Sequence, residues 1–246
     1  MGYLNKEVNR LVGQAIHSYG LLSDQDRILV AVSGGADSLL ALWFLKHWLA
    51  KAPIRFTLLP VHLDMGFEKH DRSRTETLKR HFSSLGLSFH VEETDFGPYA
   101  HGPGNRGKSP CFLCSMLRRK RLFELADRLN CTKIALGHNR DDLVETFFLN
   151  LLYVGEMSTM VPRQEMFGGK ITLIRPLALV EKRKIDRLAR ELRLPVTHNP
   201  CPSAGLTKRQ EVKDLLERTY AMNPKIRGNI MRALTHVRPE YLPTAR

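Results

Sequence analysis

Three groups of residues in this chain carry types and spacings suited to chemistry. The first is Ser33-Gly34-Gly35-Ala36-Asp37-Ser38. It follows the apolar run Arg27 to Val32 and precedes a long apolar stretch, so it reads as the turn where a buried strand becomes a helix. A helix start offers unpaired N–H groups and the positive end of the helix dipole, which together hold an anion. Glycine lets the backbone approach that anion closely and adopt positive φ. Ser33 and Ser38 add hydroxyl donors, and Asp37 is placed to cap the helix or to hold a metal ion. The spacing is neither a Walker A loop nor G-x-G-x-x-G.

The second group sits at the ends of two further apolar runs. Gly137-His138-Asn139-Arg140-Asp141-Asp142 places carboxylates where one could bind Mg²⁺ or accept a proton. Helix capping accounts for one Asp but leaves His138 without a role. Val61-His62-Leu63-Asp64 closes the other run, and Asp64 either faces a ligand or caps the next turn.

The third group is the cysteines. Cys111-Phe112-Leu113-Cys114 is a C-x-x-C, a spacing used by zinc sites, iron–sulfur clusters and redox pairs alike. No second pair exists, because Ala204 stands three positions after Cys201. Cys201 lies in the rigid turn Asn199-Pro200-Cys201-Pro202, and Cys131, just before the apolar run KIALG, reads as a packed core thiol. The candidate ligand set is therefore Cys111, Cys114 and Cys201. A helix start together with Arg118, Arg119, Lys120 and Arg121 is expected to favour thiolates at the C-x-x-C. Three thiolates on a 4Fe-4S cluster leave one iron open to an exogenous sulfide.

The elements that position these groups follow from periodicity. Residues 3–22 carry an amphipathic helical pattern. Strands are expected at Arg27–Val32, Phe56–Asp64, Leu87–Val91, Lys133–Gly137 and Ile171–Ile174, with Pro60 suggesting an edge or a bulge in the second. Helices are expected at 37–50, 71–85, from about Cys111, at 140–153 and at 181–192. Thr94 to Pro110, rich in glycine and proline, reads as a long loop, and the tail reads as helical with a break at Asn223-Pro224. Strands alternating with helices imply right-handed crossovers and a parallel sheet covered on both faces, with ligands beyond the carboxyl ends of the strands. The expected organisation is one α/β domain over 1–246, with an N-terminal helical arm at 1–26 and a helical extension at 202–246.

The chain has 246 residues with 38 Lys and Arg against 25 Asp and Glu, a formal charge of +13 that suits a polyanionic partner. No apolar run reaches the ~18–20 residues of a membrane span, and the N-terminal segment is too polar for a secretory signal. Cytoplasmic residence is expected, where cysteines favour metal or redox chemistry over structural disulfides. Candidate phosphate contacts are the basic helix at 117–121, Arg106, Lys108, Lys208, Arg209, Lys225, Arg227, Arg232 and Arg238.

The hexapeptide Ser33–Ser38 matches the S-G-G-x-D-S pattern of the PP-loop ATP pyrophosphatases. Pro110-Cys-Phe-Leu-Cys-Ser-Met-Leu-Arg-Arg119, Ala135-Leu-Gly-His-Asn-Arg-Asp-Asp142, Arg175-Pro176-Leu177 and the Pro200-Cys201-Pro202 turn resemble the TtcA/TtuA group of tRNA thiolation enzymes, most closely its TtcA branch. The resemblance implies a PP-loop (adenine nucleotide alpha hydrolase-like) fold. It implies ATP and Mg²⁺ at Ser33, Gly34, Gly35, Ala36, Asp37, Ser38, His62, Leu63, Asp64, Gly137 and His138, with Asp37, Asp141 and Asp142 in catalysis. It implies a 4Fe-4S cluster on Cys111, Cys114 and Cys201, and tRNA on residues such as Arg118, Arg119, Lys208 and Arg209. The implied reaction adenylates the C2 oxygen of an anticodon-loop cytidine and replaces it with sulfur from a donor such as a cysteine desulfurase or inorganic sulfide. A homodimer is the assembly the resemblance suggests. Two departures stand out: Ala36 occupies a position where that branch usually has Lys, and its second C-x-x-C is reduced to Cys201. The rival readings are uridine 2-thiolation, a PP-loop ligase or amidotransferase with zinc at the cysteines, and a nucleotide-binding regulator without catalysis.

Overall fold

The apolar run before the serine-glycine turn forms β1 (Asp26–Ala31), buried from Ile28 onward. Its side chains alternate between two cores: Ile28 and Val30 join one cluster, Leu29 and Ala31 the other. A strand buried on both faces needs neighbours at each edge and helices on each side. The computed structural model, which describes residues 2–68, 72–103, 105–107, 109–203, 205 and 207–243, supplies both. Lys108, one of the expected phosphate contacts, lies outside the described residues.

Among the described residues, six strands form one sheet in the order β3-β2-β1-β4-β6-β5. β2 (Phe56–Asp64), β3 (His90–Glu93), β4 (Lys133–Ala135) and β6 (Ile171–Ile174) run parallel to β1 in the sheet, while β5 (Arg163–Met166) pairs antiparallel with β6 at the edge. One face is covered by α1 (Tyr3–Ser18), α2 (Ala36–Leu49), α3 (Ser73–Ser84) and α7 (Lys182–Glu191), the other by α5 (Pro110–Arg128). The expected α/β class with a sheet covered on both faces is the one observed. Strand order reverses between β1 and β4, and the crevice at such a reversal is where α/β sheets take their ligands.

The chain divides into two compact units. The first comprises Met1–Asp141 and Val161–Ala204 and contains the sheet. The second comprises Asp142–Met160 and Gly205–Arg246, with its own small core of Val144, Val212 and Leu216. It contains most of α6 (Arg140–Leu149), α8 (Lys208–Met222) and α9 (Ile226–Ala233), with the break at Asn223-Pro224 between the last two. No helix among the described residues is long and apolar enough to cross a membrane.

Four expectations need correction. Pro60 marks neither an edge nor a bulge: β2 lies inside the sheet in unbroken register, with Val30 opposite Pro60. The Val61 carbonyl accepts from Val32 on the β1 side, so Pro60 faces the other way, where β3 begins pairing only at Val61. Its missing N–H therefore costs no ladder bond. The third strand starts at His90 rather than Leu87, whose side chain instead packs against the core. The expected Thr94–Pro110 loop contains a short helix, α4 (Phe96–His101). The helix expected to run to 153 is α-helical only to Leu149, then forms a π-helical turn, Asn150–Val154, ended by Gly155 at φ 78°.

Candidate active site

The turn after β1 is built by its own serines. Ser38 Oγ accepts from the Ser33 N–H at 3.1 Å and donates to the Gly35 carbonyl at 2.9 Å. Gly35 caps α2 in an extended conformation with no side-chain capping bond, leaving that helix start to a ligand. Gly34 is required on two counts: its φ is +91°, and a Cβ there would lie 2.2 Å from Thr197 Oγ1. The Thr197 N–H donates to the Gly34 carbonyl at 3.0 Å, and its hydroxyl is buried without a partner among the described residues.

Asp37 does not cap α2. Its carboxylate takes Lys182 Nζ at 2.6 Å and Asn139 Nδ2 at 3.0 Å. The backbone N–H of Lys182 donates to Asp141 Oδ2 at 2.7 Å, and Asn139 Oδ1 accepts from the Asp141 N–H at 2.9 Å. Burial alone would push the Lys182 ammonium down, but Asp37 and Asp186 outweigh it and hold the group above its ordinary value. A lysine 145 positions from Asp37 thus stands beside a loop whose own fourth residue is Ala36. Lys182 belongs to none of the sequence motifs; its one signal in the sequence is the basic start of α7, Lys182-Arg183-Lys184, following Arg175-Pro176-Leu177. Gly137 backs the arrangement closely: a Cβ there would lie 2.8 Å from the Asp37 carbonyl carbon and the Ser38 nitrogen. His138 Nδ1 accepts from the buried Arg175 at 3.3 Å. Asp142 falls in the second unit, where Arg209 reaches it at 3.2 Å.

At the end of β2, Leu63 and His62 are buried. His62 Nδ1 lies 2.8 Å from the Val32 carbonyl, which fixes the proton on Nδ1 and leaves Nε2 as a buried acceptor without a partner among the described residues. Burial pushes the His62 imidazole below its ordinary value, against the pull of the Val32 bond and of Asp64. Asp64 is a turn-maker: it accepts from the Gly66 N–H at 2.9 Å and from the Thr75 hydroxyl at 3.0 Å. It also lines a cavity of about 540 Å³ with Arg72 and Glu93.

Cys111 and Cys114 occupy the first turn of α5, and Cys201 the turn after α7; all three are free and partly exposed. Cys131 is buried, as expected of a core thiol. The expectation of low thiol pKa values is overturned. Burial raises Cys111, and Cys201 raises it further. Burial and Cys201 also raise Cys114, with only Arg118 opposing. Arg121 is spent elsewhere, on Glu92 at 2.6 Å and Glu124 at 2.9 Å. Arg118 is partly buried and held below its ordinary value by burial, against the pull of Cys114. Among the described residues, no three Cys, His, Asp or Glu side chains are already gathered to grip a metal ion. Cys111, Cys114 and Cys201 are nonetheless free, partly exposed sulfurs of one compact unit, a soft donor set of the kind that iron takes. They fit a cluster with three cysteine ligands.

Three further basic candidates are tied to neighbours. Arg119 Nε donates to the Ser115 carbonyl at 3.3 Å, Lys208 pairs with Glu211 at 2.9 Å, and Arg209 pairs with Glu145 at 3.3 Å as well as with Asp142.

The family model of the PP-loop domain matches residues 4–213. The tRNA-cytidine(32) 2-sulfurtransferase of Geobacter sulfurreducens is 38% identical over 239 residues, covering 96% of this chain and 92% of the relative. The chain belongs to the TtcA/TtuA family of PP-loop proteins. A second family member, the tRNA-cytidine(32) 2-sulfurtransferase of Polynucleobacter asymbioticus, is 39% identical over 242 residues, 97% of this chain and 78% of the relative. Among solved structures, the U34-tRNA thiolase NcsA from Methanococcus maripaludis, determined with its 4Fe-4S cluster, superposes with a TM-score of 0.78 at 22% identity, covering 96% of this chain and 81% of that one. The family's fold is thus shared across distant sequences.

Proposed function

We propose that this protein is an ATP-dependent tRNA sulfurtransferase that converts an anticodon-loop cytidine to 2-thiocytidine. The observation that carries the reading is the presence, in one compact unit, of a serine-glycine helix-start loop and three free, partly exposed cysteines. The near full-length similarity to tRNA-cytidine(32) 2-sulfurtransferases supports it.

A carbonyl oxygen at C2 is a poor leaving group. In the proposed reaction it attacks the α-phosphorus of ATP, the bond to the bridging oxygen breaks, and pyrophosphate leaves toward the Ser33–Ser38 turn. The N–H groups at the start of α2 receive that charge. Lys182, positioned by Asp141 and Asp37, supplies a cation at the loop, and Asp37 is the carboxylate placed to share Mg²⁺. Cys111, Cys114 and Cys201 would hold a 4Fe-4S cluster, whose chemistry when bound is to present sulfide. Sulfur then bonds to C2 and AMP departs with the original oxygen. Asp141 is the nearby carboxylate in this unit for proton transfer. Inorganic sulfide or a desulfurase supplies the sulfur, tRNA binds through basic residues, and the working form is a cytoplasmic homodimer.

The test is reconstitution. Protein purified without oxygen is expected to be brown and, with ATP, sulfide and tRNA, to release AMP and form 2-thiocytidine detectable by nucleoside mass spectrometry. Thiolation by chelator-treated, cluster-free protein, or no AMP release with tRNA, overturns the reading. A colourless zinc protein returns the ligase alternative, and 2-thiouridine as product returns uridine.

A further inference from the structure

We infer that His101 is a positioning residue for Cys201, acting through Ser203. The inference rests on the proposed cysteine site and deepens it. Nδ1 of His101 lies 3.0 Å from the Gly97 carbonyl, one turn back in α4. A carbonyl only accepts, so Nδ1 carries the proton and Nε2 is left as an acceptor. Ser203 Oγ stands 2.8 Å from Nε2, so the serine hydroxyl donates to the ring. Ser203 is two residues past Cys201, in the same turn.

The platform under His101 is stiff. The Gly97 N–H donates to the Met65 carbonyl at 2.7 Å, and a Cβ on Gly97 would lie 2.6 Å from the Phe67 ring. That ring meets the His101 ring edge-on, with centroids 5.3 Å apart. A continuous chain of contacts thus runs from the end of β2 through α4 to the Cys201 turn. The other side of that turn is held by the Asn199 side chain, whose Oδ1 accepts from the Cys201 N–H at 3.2 Å. Cys111 and Cys114 ride on a 19-residue helix, whereas Cys201 has no regular element of its own. The His101–Ser203 bond replaces that missing support. Partners that orient a ligand from outside govern how firmly a metal group is retained.

The experiment compares wild type with His101→Phe, Ser203→Ala, the double variant and His101→Gln. His101→Phe keeps a ring against Phe67 but removes the acceptor, and His101→Gln restores an acceptor. After anaerobic reconstitution, chelator-driven loss of the absorbance near 400 nm is expected to be ~10-fold faster in His101→Phe and Ser203→Ala, the scale seen when a ligand's supporting partner is lost. The double variant should be no faster than either single variant, and His101→Gln should recover part of the loss. In cluster-free protein, alkylation of Cys201 should speed up in both single variants while Cys111 and Cys114 react as before, and ATP affinity should not change. Unchanged Cys201 alkylation and cluster loss in both single variants, or additive effects in the double variant, overturns the role of His101. Wild-type protein that takes up no cluster while Cys201 alkylation still responds to the variants overturns the cluster reading instead. If His101→Phe fails to fold, Ser203→Ala carries the same comparison.

Discussion

A neutral histidine at the carboxyl end of a central strand makes the protein acid-sensitive. His62 is 1% exposed, and burial holds its imidazole below the ordinary value of 6.5. The unfolded chain therefore takes up a proton near pH 6.5 that the folded chain refuses until the pH is lower. The stability from His62 is complete above pH 6.5 and is lost as the pH falls toward the folded value, at up to about 1.4 kcal/mol per pH unit. Partly buried His47 and His81 shift in the same direction. Urea unfolding between pH 7.5 and 5.5 is expected to show this decline, with a shallower slope in His62→Gln; an unchanged slope would assign the sensitivity to the other two. At this scale the sequence revealed the residue types but not their partnerships. Ser33 and Ser38 are five apart, and their mutual bonding is readable from a motif. Lys182 reaches Asp37 only through the fold, and no local pattern signals a contact between them. The thiols are raised where sequence predicts them lowered because neighbouring arginines in sequence are not neighbours in space: Arg121 turns to Glu92, and Cys201 outweighs Arg118 at Cys114.

At the scale of elements, the site depends on how closely the segment after β4 approaches the start of α2. A Cβ on Gly137 would meet backbone atoms of Asp37 and Ser38 at 2.8 Å, with no flexible side chain to give way. Gly137→Ala is expected to destabilise the fold by about 1–3 kcal/mol through overpacking. It should also weaken ATP binding by ~10-fold, equivalent to about 1.4 kcal/mol. Gly228→Ala, where a Cβ meets open space in α9, is the control and should leave ATP binding unchanged while stabilising the helix by up to about 1 kcal/mol. Titration calorimetry with ATP and a thermal melt measure both quantities, and a Gly137→Ala protein that matches the control would show that the approach is not limiting. The strands that carry this geometry were legible because each is a short apolar run ending in small residues. β5 was not, because three of its four side chains are exposed and its pairing is fixed only by β6. α4 was not, because Gly97 and Pro98 read as loop residues although Pro98 stands in the helix's first turn, where a proline is tolerated.

For the whole molecule, the +13 charge is the dominant long-range property. Binding of tRNA should weaken steeply with salt, each neutralised phosphate adding about −0.7 to −0.9 to the slope of log K against log salt. A slope steeper than about −3 is expected from filter binding between 50 and 300 mM salt; a flat response would remove tRNA as the partner of this surface. Arginines already paired with carboxylates, such as Arg121 and Arg209, contribute less than the formal charge suggests. The hydrogen bond from Thr197 to Gly34 has a consequence for working order. Only four peptide units join Thr197 to Cys201, a tether of about 14 Å at full stretch. Cys201 is thereby leashed to the Ser33–Ser38 turn, and neither can wander beyond that span while the Thr197 bond holds.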